Sequence, residues 1–347
     1  MRRARMLVPK DWDVGHYHCT SRVVDKRRIF GPGEKRHFIG ILREYEAFCG
    51  VRLLTFCIMS NHFHVLLAVP KRPEVLPTAE EVLDKLSKLT VHQDLGRMRS
   101  EVEGFRQRGD AEGEKGWLER QYRRMWSLSA YMKAVKQRFT QWYNGRMERE
   151  GTLWEDRFKS VLVEGVGHIL AIMAAYIDLN PIRGGIVADP KDYAWSGYGE
   201  AMGGNALARE GLGEVVKAVN RGKEVEPGEV LPMYRVHLYL EGSEERETVG
   251  EDGKPVRGAL KREEVAKVLA AKGRLPLGEY LRCRVRYFRD GAVLGGKEFV
   301  ETIFRAYRER FGPKRKDGAR RLRGVEDPKE GRLFCLRDLR VEVLDRT

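Results

Sequence analysis

The sequence predicts an α+β fold: an antiparallel sheet in the ferredoxin-like order with helices on one face, a helical insertion, and a basic C-terminal extension. Three observations carry that prediction. The apolar run from Leu53 to Val69 is interrupted by Ser60-Asn61-His62 and reads as strand, polar turn, strand. Helical periodicity flanks this run on both sides, from Glu34 to Phe48 and again from Ser127 onward. Taken along the chain, the order is strand, helix, two strands, helices, strand, helix.

Each element has its own local reason. Gly15 to Arg22 alternates and contains β-branched and aromatic residues, which suits a first strand. Phe38, Ile41, Leu42, Tyr45 and Phe48 recur at helical spacing, and Gly50 follows as a stop. Arg52 to Met59 and Phe63 to Val69 are the next two strands, with His64 inside the second and His62 near its start. Pro70 and Pro73 end that unit. Thr78-Ala79-Glu80-Glu81 is a capping box, followed by Val82, Leu83, Leu86 and Leu89 on one helical face. The charged, glycine-containing stretch over about 72–126 reads as a helical insertion with an exposed loop. Ser127 opens a long amphipathic helix carrying Leu128, Tyr131, Met132, Val135, Phe139, Trp142 and Tyr143. Val161-Leu162-Val163 is a fourth short strand, and a last helix runs from about Gly167 to Asn180, halted by Pro181. After residue 204 glycine and charge dominate, with helical segments near Lys261 to Lys272 and Lys297 to Phe311 and a basic run from Lys314 to Arg323. Residues 1–204 therefore read as one domain and 205–347 as a basic extension.

Lys and Arg number 65 against 51 Asp and Glu, a formal net charge of +14, which suggests a polyanionic partner with nucleic acid ahead of a membrane surface. The five cysteines, Cys19, Cys49, Cys57, Cys283 and Cys335, contain no C-x-x-C pair, which argues against a disulfide framework and a thiolate zinc site. No apolar stretch reaches the roughly 18 residues of a membrane span, and no signal-type core follows Met6-Leu7-Val8. A cytoplasmic, nucleoid-associated protein is the expectation.

The residues with chemistry lie in two places. His62 and His64, at i and i+2 of a strand, share a face. Neighbouring imidazoles can bind a divalent metal, although the spacing alone equally suits two half-buried histidines. Tyr176 and Asn180, at i and i+4, share a helix face. Two imidazoles and an amide oxygen could bind Mg²⁺ or Mn²⁺ with positions left for a phosphate, and Tyr176 could attack that phosphorus. Taken singly, Tyr176 reads as a core aromatic and Asn180 as a helix stop.

A set of segments in order carries a resemblance. They are Gly15-His16-Tyr17-His18-Cys19-Thr20-Ser21-Arg22, Cys57-Ile58-Met59-Ser60-Asn61-His62-Phe63-His64, Gly151-Thr152-Leu153-Trp154-Glu155-Asp156-Arg157-Phe158-Lys159-Ser160, Tyr176-Ile177-Asp178-Leu179-Asn180-Pro181-Ile182-Arg183, and Asp192-Tyr193-Ala194-Trp195-Ser196-Gly197-Tyr198. Together, over roughly residues 5 to 200, they resemble the single-tyrosine HUH transposases of the IS200-like kind, specifically the REP-associated tyrosine transposase branch. The resemblance implies a ferredoxin-like (RRM-like) catalytic domain over 1–204. It implies a divalent metal, Mg²⁺ or Mn²⁺, and cleavage and rejoining of single-stranded DNA beside hairpins through a covalent 5′-phosphotyrosine. His62 and His64 then correspond to the metal-binding pair, Asn180 to the third ligand and Tyr176 to the nucleophile. Trp154, Arg157 and Lys159 fall in a segment placed against DNA. The stretch between Pro70 and Ser127 is longer than in compact members, and residues beyond 204 lie outside the catalytic core. Compact members resemble monomers and mobile-element relatives dimers, so a monomer or homodimer is implied.

Lys133, Lys136, Arg138, Trp142, Arg157 and Lys159 combine the charge and the aromatic surface that single-stranded DNA requires. The plainer reading is a solvated helix face with a core tryptophan. Two other functions compete. A catalytically silent RRM-like module would bind nucleic acid indifferently to chelators. A replication-initiator or relaxase type of HUH enzyme shares the histidines, but its elements resemble a permuted order.

Overall fold

The computed structural model describes residues 5–89, 95–187, 189–242, 284–322, 332–338 and 344–345. β1 (Val14–Arg22), α1 (Pro32–Cys49), β2 (Arg52–Ile58) and β3 (His62–Pro70) form in the predicted order. Gly50 ends α1 with a left-handed φ of 65° and donates its N–H to the Glu46 carbonyl, a conformation that favours glycine. The insertion folds as α2 (Ala79–Ser87), α3 (Leu95–Gln107) and α4 (Ala111–Tyr122). The capping box is present: Thr78 Oγ1 accepts the Glu81 N–H, and the Glu81 carboxylate accepts the Thr78 N–H at 2.7 Å. Ser127 caps α5 (Leu128–Arg146) by accepting the Ala130 N–H.

β4 (Lys159–Val163), α6 (His168–Asp178), α7 (Asn180–Arg183), α8 (Gly197–Met202), α9 (Ala206–Val219) and α10 (Pro227–Gly242) follow. Then come β5 (Arg284–Val285), α11 (Arg286–Asp290), β6 (Val293–Gly295), α12 (Lys297–Ala306), β7 (Arg320–Arg321), β8 (Phe334–Cys335) and β9 (Leu344–Asp345). The predicted helix at Lys261 to Lys272, together with Cys283 and Arg323, lies outside the described residues. No described helix is long and apolar enough to cross a membrane.

Seven strands form an open, mostly antiparallel sheet in the order β2-β3-β1-β4-β6-β8-β7. β6 runs parallel to β4, and the other neighbours are antiparallel. β5 and β9 pair separately.

Helices cover both faces of this sheet, which corrects the expectation of one covered face. Tyr17, Cys19, Phe63, Val65 and Leu67 pack under α1 and α5. Leu54, Cys57, Leu66, Val161 and Val163 pack under α6 and α9. The cause is in the central strands, where β2 is buried at every position after Arg52. A sheet that is apolar on both sides must be covered on both sides.

Residues after 204 contribute to the same sheet and to its cover. β6 occupies the outer edge of β4, pairing Leu162 with Val293 and Val163 with Leu294, and α9 lies across β2. Without β6, β4 would present an unsatisfied row of backbone groups. The extension is thus part of the same layered core. The close approach of α9 depends on Gly211, where an added Cβ would stand 2.5 Å from the Leu53 carbonyl oxygen. Gly211→Ala should therefore destabilise the protein by roughly 1–3 kcal/mol, read by denaturant unfolding, despite alanine's better helix propensity.

Candidate active site

The register of β1 on β3 sets the site. Thr20 stands opposite His64, and Arg22 opposite His62. Both histidines therefore face α6 and line a cleft of about 280 Å³. Tyr176 and Asn180 line the same cleft, with Arg157 and Lys159 on its rim. The four residues of the predicted constellation are brought together although more than a hundred positions separate the histidines from the tyrosine.

The tyrosine helix ends differently from expectation. α6 stops at Asp178, and the chain restarts as the short α7 through Pro181 and on to Arg183. Pro181 has no N–H to give to the Ile177 carbonyl four residues back. The Asn180 Nδ2 supplies that bond at 3.0 Å and also donates to the Tyr176 carbonyl at 3.2 Å. With both its hydrogens so used, Asn180 has only its carboxamide oxygen left to offer the cleft it lines.

The imidazoles are oriented by an equally definite chain. His18, on β1, points Nδ1 at the Phe288 carbonyl oxygen (2.7 Å) and Nε2 at Nδ1 of His64 (2.8 Å). A carbonyl only accepts, so His18 Nδ1 carries the proton and its Nε2 accepts from His64 Nδ1–H. That leaves the lone pair of His64 on Nε2. Nδ1 of His62 meets the Asn61 Oδ1 at 2.7 Å while Asn61 Nδ2 donates to the Lys26 carbonyl, so His62 also holds its proton on Nδ1. Burial pushes His18 down to about 4, and it holds His64 well below the ordinary range, helped by the neighbouring imidazoles and by Arg183 and Arg289. Neutral imidazoles with Nε2 lone pairs are the form that ligates metals. Among the described residues no three His, Cys, Asp or Glu side chains gather around a common point. A cation here would take its protein ligands from His62, His64 and the Asn180 oxygen, two borderline nitrogen donors and one hard oxygen.

Tyr176 is only 1% exposed. His18 and His64 lie edge-on to its ring at 6.1 Å, and Phe288 does so at 4.7 Å. The Arg183 guanidinium sits 4.1 Å from the ring centroid and donates to the Tyr176 carbonyl. The phenol makes no hydrogen bond to a described residue. Asp178, fully buried one turn-face away, accepts from Thr55 Oγ1 (2.9 Å), Tyr234 OH (2.6 Å) and the Tyr198 N–H (3.3 Å). Burial raises its carboxyl to about 7 against the pull of these donors.

Several predicted DNA contacts are relocated. Trp154 is 8% exposed, packs edge-on to Phe63 at 5.5 Å, and donates Nε1 to Thr140 Oγ1 at 2.8 Å. Lys136 is 9% exposed, and its Nζ donates to the Asp156 carbonyl across the Trp154 ring. Burial lowers its ammonium to about 8. Both are buried in the core, and neither lines the cleft. They hold the 151–160 segment in position, so that Arg157 and Lys159 reach the cleft. Arg138 lies on α5 near His37 and Tyr45, away from the cleft. His18, Phe288 and Arg289 were missed by the sequence reading. The alternating His16-Tyr17-His18 was a signal for the first, and nothing local signals the other two.

No family model and no curated protein matches the sequence. Among solved structures, the chain is similar to a REP-associated tyrosine transposase bound to a REP hairpin, with a TM-score of 0.36 and 12% identity over 60% of this chain and 90% of that one. That is a distant structural likeness.

Two outcomes follow from this geometry. Trp154→Ala should cost about 3–5 kcal/mol of stability, measured by denaturant unfolding. A stable variant that merely binds DNA less well would contradict the core role. For Asp178 the folded carboxyl is raised above its unfolded value, so its contribution is complete in acid and fades as pH rises through about 7. The stability of the protein relative to Asp178→Asn should decline between about pH 4 and pH 7 and be flat above. A pH-independent difference would count against it.

Proposed function

We propose that this protein is a metal-dependent single-strand DNA transesterase, a transposase-type enzyme with a ferredoxin-like core that cuts and rejoins DNA beside hairpins. The observation that supports this most is the convergence of His62, His64, Asn180 and Tyr176 on one basic-rimmed cleft. Tyr176 is the nucleophile: its oxygen bonds to the phosphorus as the bond to the 3′ oxygen breaks. The phenol proton is lost to solvent, and the departing 3′ oxygen takes one up. The product is a 5′-phosphotyrosine that retains the energy of the phosphodiester, so a second 3′-hydroxyl can reverse the step without ATP. A Mg²⁺ or Mn²⁺ ion, held by His62, His64 and Asn180, would polarise the phosphoryl oxygens. Arg157 and Lys159 supply backbone affinity that weakens with salt. The resemblance of the histidine and tyrosine segments to REP-associated tyrosine transposases supports the same substrate class, single-stranded DNA flanking a hairpin.

The deep burial of Tyr176 favours a second reading, a nucleic-acid-binding module without chemistry. One experiment separates the two. A 5′-phosphotyrosine adduct should form with a hairpin oligonucleotide and Mn²⁺, and should vanish with EDTA, in Tyr176→Phe and in His64→Ala. An adduct that persists in Tyr176→Phe refutes the nucleophile. DNA binding with no adduct under any metal, unaffected by His64→Ala, leaves the silent module.

A further inference from the structure

The cleft has a wall that the proposed chemistry has not used. α11 follows more than a hundred residues after α6 closes, yet it makes three contributions within three consecutive positions. The Tyr287 side chain is buried, Phe288 packs on Tyr176 and accepts from His18, and Arg289 lines the cleft. The position of α11 is secured by the sheet, since it leads directly into β6 and Gly291 donates its N–H to the Tyr287 carbonyl.

The cations at this cleft are not equivalent. Lys159 is bonded to Asp290 Oδ1 at 2.9 Å. Arg183 covers the Tyr176 ring and donates to its carbonyl. Arg289 makes no hydrogen bond or ion pair with a described residue, and the acid next to it in sequence is turned to Lys159. The acids lining the cleft, Glu155 and Asp156, lie on the segment that carries Arg157. A half-buried guanidinium at the wall of a cleft has a planar set of donors to offer an anion there. Arg183 and Arg289 both line the cleft together with His64 and Tyr176.

We infer that Arg289 is the protein's own contact to the phosphodiester lying at Tyr176, and that the region after residue 204 is therefore part of the active site. The planar fork of the guanidinium fits two phosphate oxygens at once. It holds the strand in place whether or not a metal is bound. This rests on reading the cleft as a site for single-stranded DNA, and it adds the residue that fixes the phosphate there.

The test is binding of fluorescent oligothymidylate in EDTA over a series of salt concentrations, a measurement independent of cleavage. Arg289→Gln should bind about tenfold more weakly. Its dependence of log affinity on log salt should be shallower by about 0.7, the share of one phosphate contact on a single strand. Arg289→Met, which keeps the aliphatic stem, should show the same loss, and Arg289→Lys should retain the salt slope. Lys217→Gln, a charge removal on α9 outside the cleft, is the control. Thermal unfolding of each variant reports whether it is folded. If Arg289→Gln and Arg289→Met bind like Lys217→Gln, the assignment is overturned. An adduct lost in Tyr176→Phe alongside such a result would overturn the arginine assignment alone. A cut surviving in Tyr176→Phe would overturn the nucleophile while weakened binding in Arg289→Gln still supported the phosphate contact.

Discussion

The Asp178 side chain joins three elements to α6. Its buried carboxylate takes hydrogen bonds from β2 through Thr55, from the start of α8 through the Tyr198 N–H, and from α10 through Tyr234. It stands two residues after Tyr176 and two before Asn180, so the fastening of α6 to the sheet also fixes where the phenol and the carboxamide point. The donors favour the ionised form and burial opposes it, which is why the group sits near neutrality. Hydrophobic contact alone would let an alanine-rich helix such as α6 rotate or slide. Three directed bonds to one carboxylate admit a single orientation.

A second constraint acts on the sheet side. The pairing of Thr20 with His64 puts β1's polar face against β3's histidines, and the Phe288 carbonyl then dictates the proton positions of His18 and His64 in turn. The proton position on His64 thus begins at a backbone carbonyl more than two hundred residues away in sequence. The same short helix brings Arg289 to the cleft. The strands beyond β4 and the cleft are mechanically one unit, because β6 both extends the sheet and anchors α11.

Trp154 and Lys136 illustrate why composition misleads at single positions. An indole and a basic side chain near a nucleic-acid site suit DNA, and both were placed there from the sequence. The indole instead fills a layer among Phe30, Phe38, Phe63 and Phe139, and the ammonium closes on a backbone carbonyl. Aromatic and basic residues serve packing and binding with the same chemistry. Only burial separates the two uses.

Much was legible in the sequence by itself. Strand and helix periods, the Thr78 capping box, the Gly50 stop and the turn at Ser60-Asn61 are local, and local sterics and hydrogen bonding decide them. The shared face of His62 and His64, and that of Tyr176 and Asn180, follow from the same periodicities. Tertiary structure alone decided that these two faces meet. It also decided that both faces of the sheet are covered, and that residues after 204 enter the core. The reason is that register, strand adjacency and burial depend on contacts between segments far apart in the chain. No spacing rule encodes such contacts, as the arrival of Phe288 and Arg289 beside Tyr176 demonstrates.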